Sequence, residues 1–243
     1  MNLLEIHNDD CFNVFPKIKE NSIDLFVLDL PYANKKFGNC TACHWDTPID
    51  LKKMWMEIKR IMKPTAVLCF FCNTKFGFTL IESNPKWFRY DLIWKKSRKV
   101  GFLSANKRQL RNHENIYVFG EKLGTYNPQK IKGEPYKRHQ KTINCEVYSI
   151  ERKDKINKSG DRHPGSVIEN VSVQKTIHRT EKPVGILEYL IKSYSNEGDT
   201  VMDFTMGSGS CGEACFNTKR RFIGVEKDDD NFVLAQERLS NLE

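Results

Sequence analysis

Thr200-Val201-Met202-Asp203-Phe204-Thr205-Met206-Gly207-Ser208-Gly209-Ser210-Cys211-Gly212 sets the fold of this 243-residue chain. The run Asp199 to Phe204 has the length and composition of a buried strand. Gly207, Gly209 and Gly212 follow at the spacing that permits a tight turn and close approach of a ligand to the backbone. Ser208 to Asn217 then predicts a helix, and Phe222 to Val225 a strand. Glu226 ends that strand about 20 residues after the glycines, where a carboxylate can accept hydrogen bonds from ribose hydroxyls. Strand, glycine turn, helix, strand and acid together describe one nucleotide-binding half of an α/β sheet.

Such a half needs a second one, and only 17 residues follow Glu226. The remaining strands must therefore come from the N-terminal part. Its apolar run Ile23 to Leu28 fits a buried strand, and Asp29-Leu30-Pro31-Tyr32 follows directly. Pro31 cannot donate to a sheet ladder and biases Leu30 towards an extended conformation. The Asp29 carboxylate, the Leu30 carbonyl and the Tyr32 ring would then be displayed at a carboxyl strand end, the ligand-binding side of open α/β sheets. Closing the sheet sets this group beside the glycine turn. Two ligand classes fit the turn: a dinucleotide such as NAD, or S-adenosylmethionine.

The rest of the chain supplies alternating elements. Leu3 to Ile6 predicts a strand, Asn8-Asp9-Asp10 a turn or cap, and Cys11 to Ile18 a short helix despite Pro16. Ala33 to Asp46 reads as a mobile loop beside Asp29. Leu51 to Met62 has amphipathic helical spacing and is stopped by Pro64. Thr65 to Phe71 predicts a strand, Phe76 to Glu82 a helix, and Phe88 to Trp94 and Glu114 to Phe119 two more strands. This alternation implies parallel strands with helical crossovers. Periodicity is lost from Gly120 to about Gly165. It returns with a helix over Pro183 to Ser193 and a terminal helix over Asp229 to Leu239. The expected organisation is one domain over 1–243 with an insertion over 121–165.

Composition points to an intracellular, cytoplasmic protein with reduced cysteines. The chain has 39% hydrophobic and 29% charged residues, no stretch near the length of a membrane span, and no signal-peptide pattern at its start. The formal charge is +8 and is unevenly spread. Lys86 to Arg111 carries nine cations against the single acid Asp91, among them Lys95, Lys96, Arg98, Lys99, Lys107, Arg108 and Arg111. A second basic stretch includes Lys137 and Arg138. Interleaved with Trp87, Phe88, Tyr90, Trp94 and Phe102, the first stretch suits a surface that tracks a nucleic-acid backbone.

Three segments resemble one family. Asp29-Leu30-Pro31-Tyr32 resembles the Asp-Pro-Pro-Tyr motif of amino-directed DNA methyltransferases. Met202 to Gly209 is similar to their methyl-donor motif, and His178-Arg179-Thr180-Glu181-Lys182-Pro183 to the segment that precedes it. The order of motifs is that of the β group, which acts on adenine N6 or cytosine N4. Lys95 to Phe119, with Gly101-Phe102-Leu103 and His113-Glu114-Asn115-Ile116, resembles phage- and virus-type members. The resemblance implies a Rossmann-like, circularly ordered methyltransferase sheet with an inserted target-recognition region. It implies S-adenosylmethionine as methyl donor, double-stranded DNA as partner, a flipped adenine as target, and a place in restriction-modification. A homodimer is an option, and a membrane is not. Asp29, Leu30, Pro31 and Tyr32 would be catalytic. Asp10, Cys11, Thr180, Lys182, Asp203, Phe204, Thr205, Gly207, Gly209 and Glu226 would bind the donor, with Asp10 and the Cys11 amide at its adenine and Thr180 and Lys182 near its methionine carboxylate. Two positions depart from the pattern. Leu30 replaces a proline, and Thr205 stands where phenylalanine is usual, with Phe204 displaced by one.

Other readings carry less. Cys40-Thr41-Ala42-Cys43-His44 has the spacing of a haem attachment site, and with Cys69 and Cys72 makes a four-cysteine zinc count. Cys69 and Cys72 sit in an apolar run where burial as small apolar side chains explains them, so no metal is expected. An NAD-linked oxidoreductase would explain the glycine turn and Glu226 but not Asp29 to Tyr32. A catalytically inactive nucleic-acid-binding module would explain the charge but not the intact Asp29 and Tyr32. Cytosine N4 stays open as the target. Asp29 at the head of the motif favours adenine, because family members acting on cytosine more often begin it with serine.

Overall fold

The structure is a computed structural model describing residues 3–32, 47–138, 143–144, 149–150, 155–169 and 181–242. In chain order the first elements are β1 (Leu4–Asn8), α1 (Cys11–Val14), β2 (Ile23–Leu28), α2 (Leu51–Ile61), β3 (Met62–Cys72), α3 (Thr74–Ser83), β4 (Phe88–Val100) and β5 (Arg111–Phe119). Four short strands follow: β6 (Tyr136–Arg138), β7 (Ile143–Asn144), β8 (Ser149–Ile150) and β9 (Lys155–Asn157). The chain continues through β10 (Val167–Ile168), α4 (Val184–Tyr194), β11 (Thr200–Asp203), α5 (Ser210–Asn217), β12 (Arg221–Glu226) and α6 (Asp229–Ser240).

Eight strands form one sheet in the order β1-β12-β11-β2-β3-β5-β4-β10. The expected closure is present: β11 pairs with β2 in parallel, through Val201 with Leu25 and Met202 with Phe26. At that junction the direction of crossover reverses, with β12 beyond β11 on one side and β3 beyond β2 on the other. Such a switch point opens a crevice outside the carboxyl strand ends.

The central strands read as continuous apolar runs because they are covered on both faces. In β2, Leu25 and Val27 pack with Ile186 and Leu190 of α4, Ala214 of α5 and Ala235 of α6. Phe26 and Leu28 face the other way, with Met54 and Ile58 of α2 and Phe76 and Leu80 of α3. β3 alternates likewise, Val67, Cys69 and Phe71 on one side and Leu68, Phe70 and Cys72 on the other. Cys69 and Cys72 are thus buried core residues, while Cys40, Cys43 and His44 lie outside the described residues, as does the loop expected over Ala33 to Asp46.

One expectation is corrected. The strands are not all parallel: β5 runs antiparallel to both β3 and β4. β4 extends to Val100 and β5 begins at Arg111, which leaves too few residues for a helical crossover, and the two form a hairpin. The short N-terminal helix is also split. α1 ends at Val14, and Pro16 lies in the 3₁₀ turn Phe15–Lys17.

Residues 128–165 form a separate compact unit, in which β6 pairs with β9 and β7 with β8, all antiparallel. Ile131 and Arg162 exchange backbone hydrogen bonds of 2.9 Å. The Arg162 guanidinium lies over the Tyr136 ring, 4.5 Å from its centroid. Lys137 and Arg138 are exposed on β6. No helix among the described residues is long and apolar enough to cross a membrane.

Candidate active site

A cleft of about 610 Å³ lies along the carboxyl strand ends. Residues Asp9 to Phe12 line it after β1, Leu28 to Tyr32 at the end of β2, and Asp203 to Ser208 after β11. Glu226 and Lys227 line it after β12, with Glu181 and Lys182 ahead of α4. The described residues expected to bind the donor therefore line the cleft together with the Asp29 motif, except Gly209. Thr180 lies outside the described residues.

The glycine turn is built by conformation. Gly207 has φ +53° and Gly209 φ +79°, in the left-handed region that side chains rarely adopt. A Cβ at Gly209 would sit 3.0 Å from the Ala235 Cβ, so this glycine lets α6 pack against the turn. A Cβ at Gly207 would meet nothing within 4 Å, so the backbone there is open to a ligand. Glu226 braces the turn: its Oε2 accepts from the Gly207 amide at 2.9 Å and its Oε1 from the Asp228 amide at 2.9 Å. Phe204 is buried and meets Phe15 edge-on at 5.1 Å. The Thr205 amide donates to Asp203 Oδ1 at 3.1 Å. Burial, reinforced by the nearby Asp29 and Glu226 charges, pushes the Asp203 carboxyl up to about 8 despite that hydrogen bond. Asp10 caps α1, accepting from the Phe12 amide at 2.9 Å. The buried Cys11 thiol is pushed up to about 12, mainly by desolvation.

Asp29 is held from two sides. Tyr32 donates its hydroxyl to Asp29 Oδ1 at 2.8 Å, and Phe76 stacks on the Tyr32 ring with centroids 5.4 Å apart. The Lys182 ammonium is ion-paired with Asp29 Oδ2. Lys182 also lies 3.6 Å from Glu114 Oε2, and Glu114 is paired in turn with Lys96. Burial opposes the Lys182 charge, but the two carboxylates outweigh it and raise its proton affinity. For Glu114 burial acts upwards, and Lys182 and Lys96 bring it below the usual range. Burial likewise pushes the Tyr32 phenol well above its usual range, and the Asp29 charge adds to this. Leu30 is buried among core residues including Phe26 and Cys72, so a packed side chain anchors the position where the resembling motif has a proline ring.

Glu181, next to Lys182, reaches the glycine turn instead. It accepts from the Ser208 hydroxyl at 3.0 Å and pairs with Arg238 at 3.0 Å, both side chains 5–6% exposed. Arg238 also donates to the Ser208 carbonyl at 3.0 Å.

The sequence reading missed Glu114, Glu181 and Arg238. Acids and bases scattered on separate elements carry no local pattern, although the resemblance of His178 to Pro183 does point to the segment that holds Glu181 and Lys182. The basic candidates divide. Lys96 lines the cleft and Arg111 is partly buried, donating to the His113 carbonyl at 3.0 Å. Lys95 pairs with Glu169 at 2.9 Å. Arg98, Lys99, Lys107 and Arg108 are exposed around the β4–β5 connection.

The N6_N4_Mtase family, described as DNA methylase, matches residues 23–237. The chain belongs to this family of amino-directed DNA methylases. Relatives of the methylase include the type II methyltransferase M.BglII of Bacillus subtilis, 26% identical over 98% of this chain and 69% of the relative. M1.MboII of Moraxella bovis is 25% identical over 96% of both chains. Among solved structures, the M1.HpyAVI–SAM complex superposes with a TM-score of 0.64 at 20% identity, covering 97% of this chain and all of that one. PvuII DNA methyltransferase, cytosine-N4-specific, gives 0.67 at 14% identity over 98% of this chain and 90% of its own. These likenesses bear out the methyltransferase fold.

Proposed function

We propose that this methylase transfers a methyl group from S-adenosylmethionine to the exocyclic N6 of an adenine flipped out of double-stranded DNA. One observation carries the reading: Asp29 to Tyr32 and the glycine turn line a single cleft at the switch point between β2 and β11.

The residues present fit the donor. Open backbone at Gly207, the Glu226 carboxylate behind it and buried apolar groups at Cys11 and Phe204 suit an adenosyl group. When bound, the donor supplies a methyl group on a cationic sulfur. Two lines support it further: M1.HpyAVI, of the same fold, was solved with SAM, and the family is one of DNA methylases.

The exocyclic amine of adenine is a poor nucleophile, because its lone pair is delocalised into the ring. Asp29 accepts one of its hydrogens and the Leu30 carbonyl the other, which draws the nitrogen towards tetrahedral geometry and frees the lone pair. Asp29 acts as acceptor rather than as an initial base, since the nitrogen becomes acidic only after methylation. Tyr32 stacks on the base, worth roughly 1–3 kcal/mol, comparable to the unstacking it offsets. Lys182 orients Asp29 and keeps its charge balanced. Residues 121–165, with Lys137 and Arg138, form the target-recognition region of the domain. Asp29 at the head of the motif favours adenine over cytosine N4.

Incubation with labelled donor and unmethylated DNA, followed by nucleoside analysis, tests this. N6-methyladenine is expected. Labelled N4-methylcytosine would reassign the base, and absence of label would overturn the reading.

A further inference from the structure

The β4–β5 hairpin carries an apolar tip that the catalytic reading leaves without a task. β4 is parallel to β3, because β5 is antiparallel to both, so β4 leaves the sheet at the same edge as the cleft. Trp94 and Lys96 of β4 and Glu114 of β5 line the cleft. Beyond Lys96 the strand runs on for four residues to Val100, up to about 13 Å past the cleft wall. There Phe102 is 76% and Leu103 89% exposed, consecutive on the 3₁₀ turn Phe102–Ser104. Two large apolar side chains this exposed at one protruding point mark a contact surface rather than a core.

The tip is preformed. Gly101 turns the chain with φ +89°, and the Ser104 amide closes on the Gly101 carbonyl at 3.0 Å. The Ala105 amide donates to Phe102 at 2.9 Å and the Arg108 amide to Ser104 at 3.0 Å. Pairing of Val100 with Arg111 closes the hairpin below. Exposed Arg98 and Lys99 at the end of β4 and Lys107 and Arg108 in the connection to β5 flank the apolar pair. An apolar point flanked by cations matches the base stack of a duplex between its phosphate rows. Apolar side chains that enter DNA between base steps work in this way.

We propose that Phe102 and Leu103 are a wedge that enters the duplex beside the target and fills the space the flipped base leaves. This rests on the methyltransferase reading above. The wedge lowers the cost of extrusion by replacing the stacking lost there, while the four cations hold the adjoining phosphates.

The test uses the full-length protein, F102A/L103A, and a duplex bearing the sequence that modified-base sequencing identifies. A second duplex carries a mismatch opposite the target base, which removes most of the pairing cost of extrusion. Single-turnover methylation by F102A/L103A should fall at least tenfold on the paired duplex and stay within threefold of wild type on the mismatched one. F102W should keep the wild-type rate, as should the control F78A, an exposed phenylalanine of α3. An unchanged melting shift with S-adenosylhomocysteine would show that the variants are folded. Equal loss on both duplexes, or no loss on the paired one, would overturn the wedge. Equal loss together with a shift from dimer to monomer would assign the tip to a second copy of the chain. A wild-type protein that methylates no DNA would sink the parent reading instead, and is recognisable as such.

Discussion

Lys182 is ion-paired with Asp29, 153 positions earlier in the chain, at the head of the Asp29-Leu30-Pro31-Tyr32 motif. The family resemblance assigns Lys182 to the donor's carboxylate. In the structure its ammonium lies between Asp29 and Glu114, with its side chain only 12% exposed.

Lys182→Met should therefore act on turnover, not on donor affinity. Calorimetric affinity for S-adenosylhomocysteine is expected within twofold of wild type, and kcat reduced at least tenfold. Asp29 and Glu114 would lose the ammonium that lies between them, while Glu114 keeps its pair with Lys96. Breaking a buried pair costs roughly 3–5 kcal/mol, and the partial exposure of Asp29 brings the expected loss to the lower end. A tenfold loss of donor affinity with kcat preserved would restore the donor-side role.

Asp29→Ala removes the proposed acceptor itself. Methyl transfer should fall about a hundredfold or more, by analogy with deletion of one preorganised polar group from an active site. Binding of S-adenosylhomocysteine should persist, since Glu226 and the glycine turn are untouched. Wild-type turnover in this variant would remove the mechanism.

Gly209→Ala and Gly207→Ala separate strain from contact. Both place a side chain at positive φ, which costs roughly 1–2 kcal/mol. Only at Gly209 would the new Cβ press on Ala235 at 3.0 Å. Gly209→Ala should thus lower the urea midpoint more than Gly207→Ala. Equal stabilities would contradict the packing of α6 on the turn.

Arg238→Met removes the buried cation paired with Glu181 and Glu213, and a loss of about 3–5 kcal/mol is expected. The Ser208 carbonyl and hydroxyl lose their brace in the same step. The KM for the methyl donor should rise with little change in the KM for DNA. Parallel changes in both would point to general loosening.

Asp203 makes stability depend on pH in a stated direction. Its carboxyl titrates near 8 in the folded protein, against 3.8 for an unperturbed group. Between these values the native state binds more protons at this site than the unfolded chain, so its contribution falls as pH rises. For one group the slope is at most about 1.4 kcal/mol per pH unit. Denaturant midpoints measured from pH 5 to 9 should decline less steeply in Asp203→Asn than in wild type.

The site was legible where chemistry is compressed into short motifs. Asp29 to Tyr32 and Gly207 to Gly209 each follow an apolar run with their own turn chemistry, and the pairing of β11 with β2 brings those two strand ends together. Glu114 and Arg238 were not legible, since each takes part through partners on other elements of the chain. The direction of β5 was missed for a local reason. With strands ending at Trp94 and starting at Glu114, the gap could hold a crossover. The polar residues Lys95 to Lys99 conceal that β4 continues to Val100, which turns the gap into a hairpin.

Glu181 and Lys182 are consecutive, so their Cα atoms stand about 3.8 Å apart. One side chain grips Ser208 at the glycine turn, and the other grips Asp29. A single peptide unit is thereby a fixed ruler between the half of the cleft that would present the methyl group and the half that would receive it. Lengthening the chain by one glycine between them would spare every contact within each half, yet alter the distance over which the methyl group must pass.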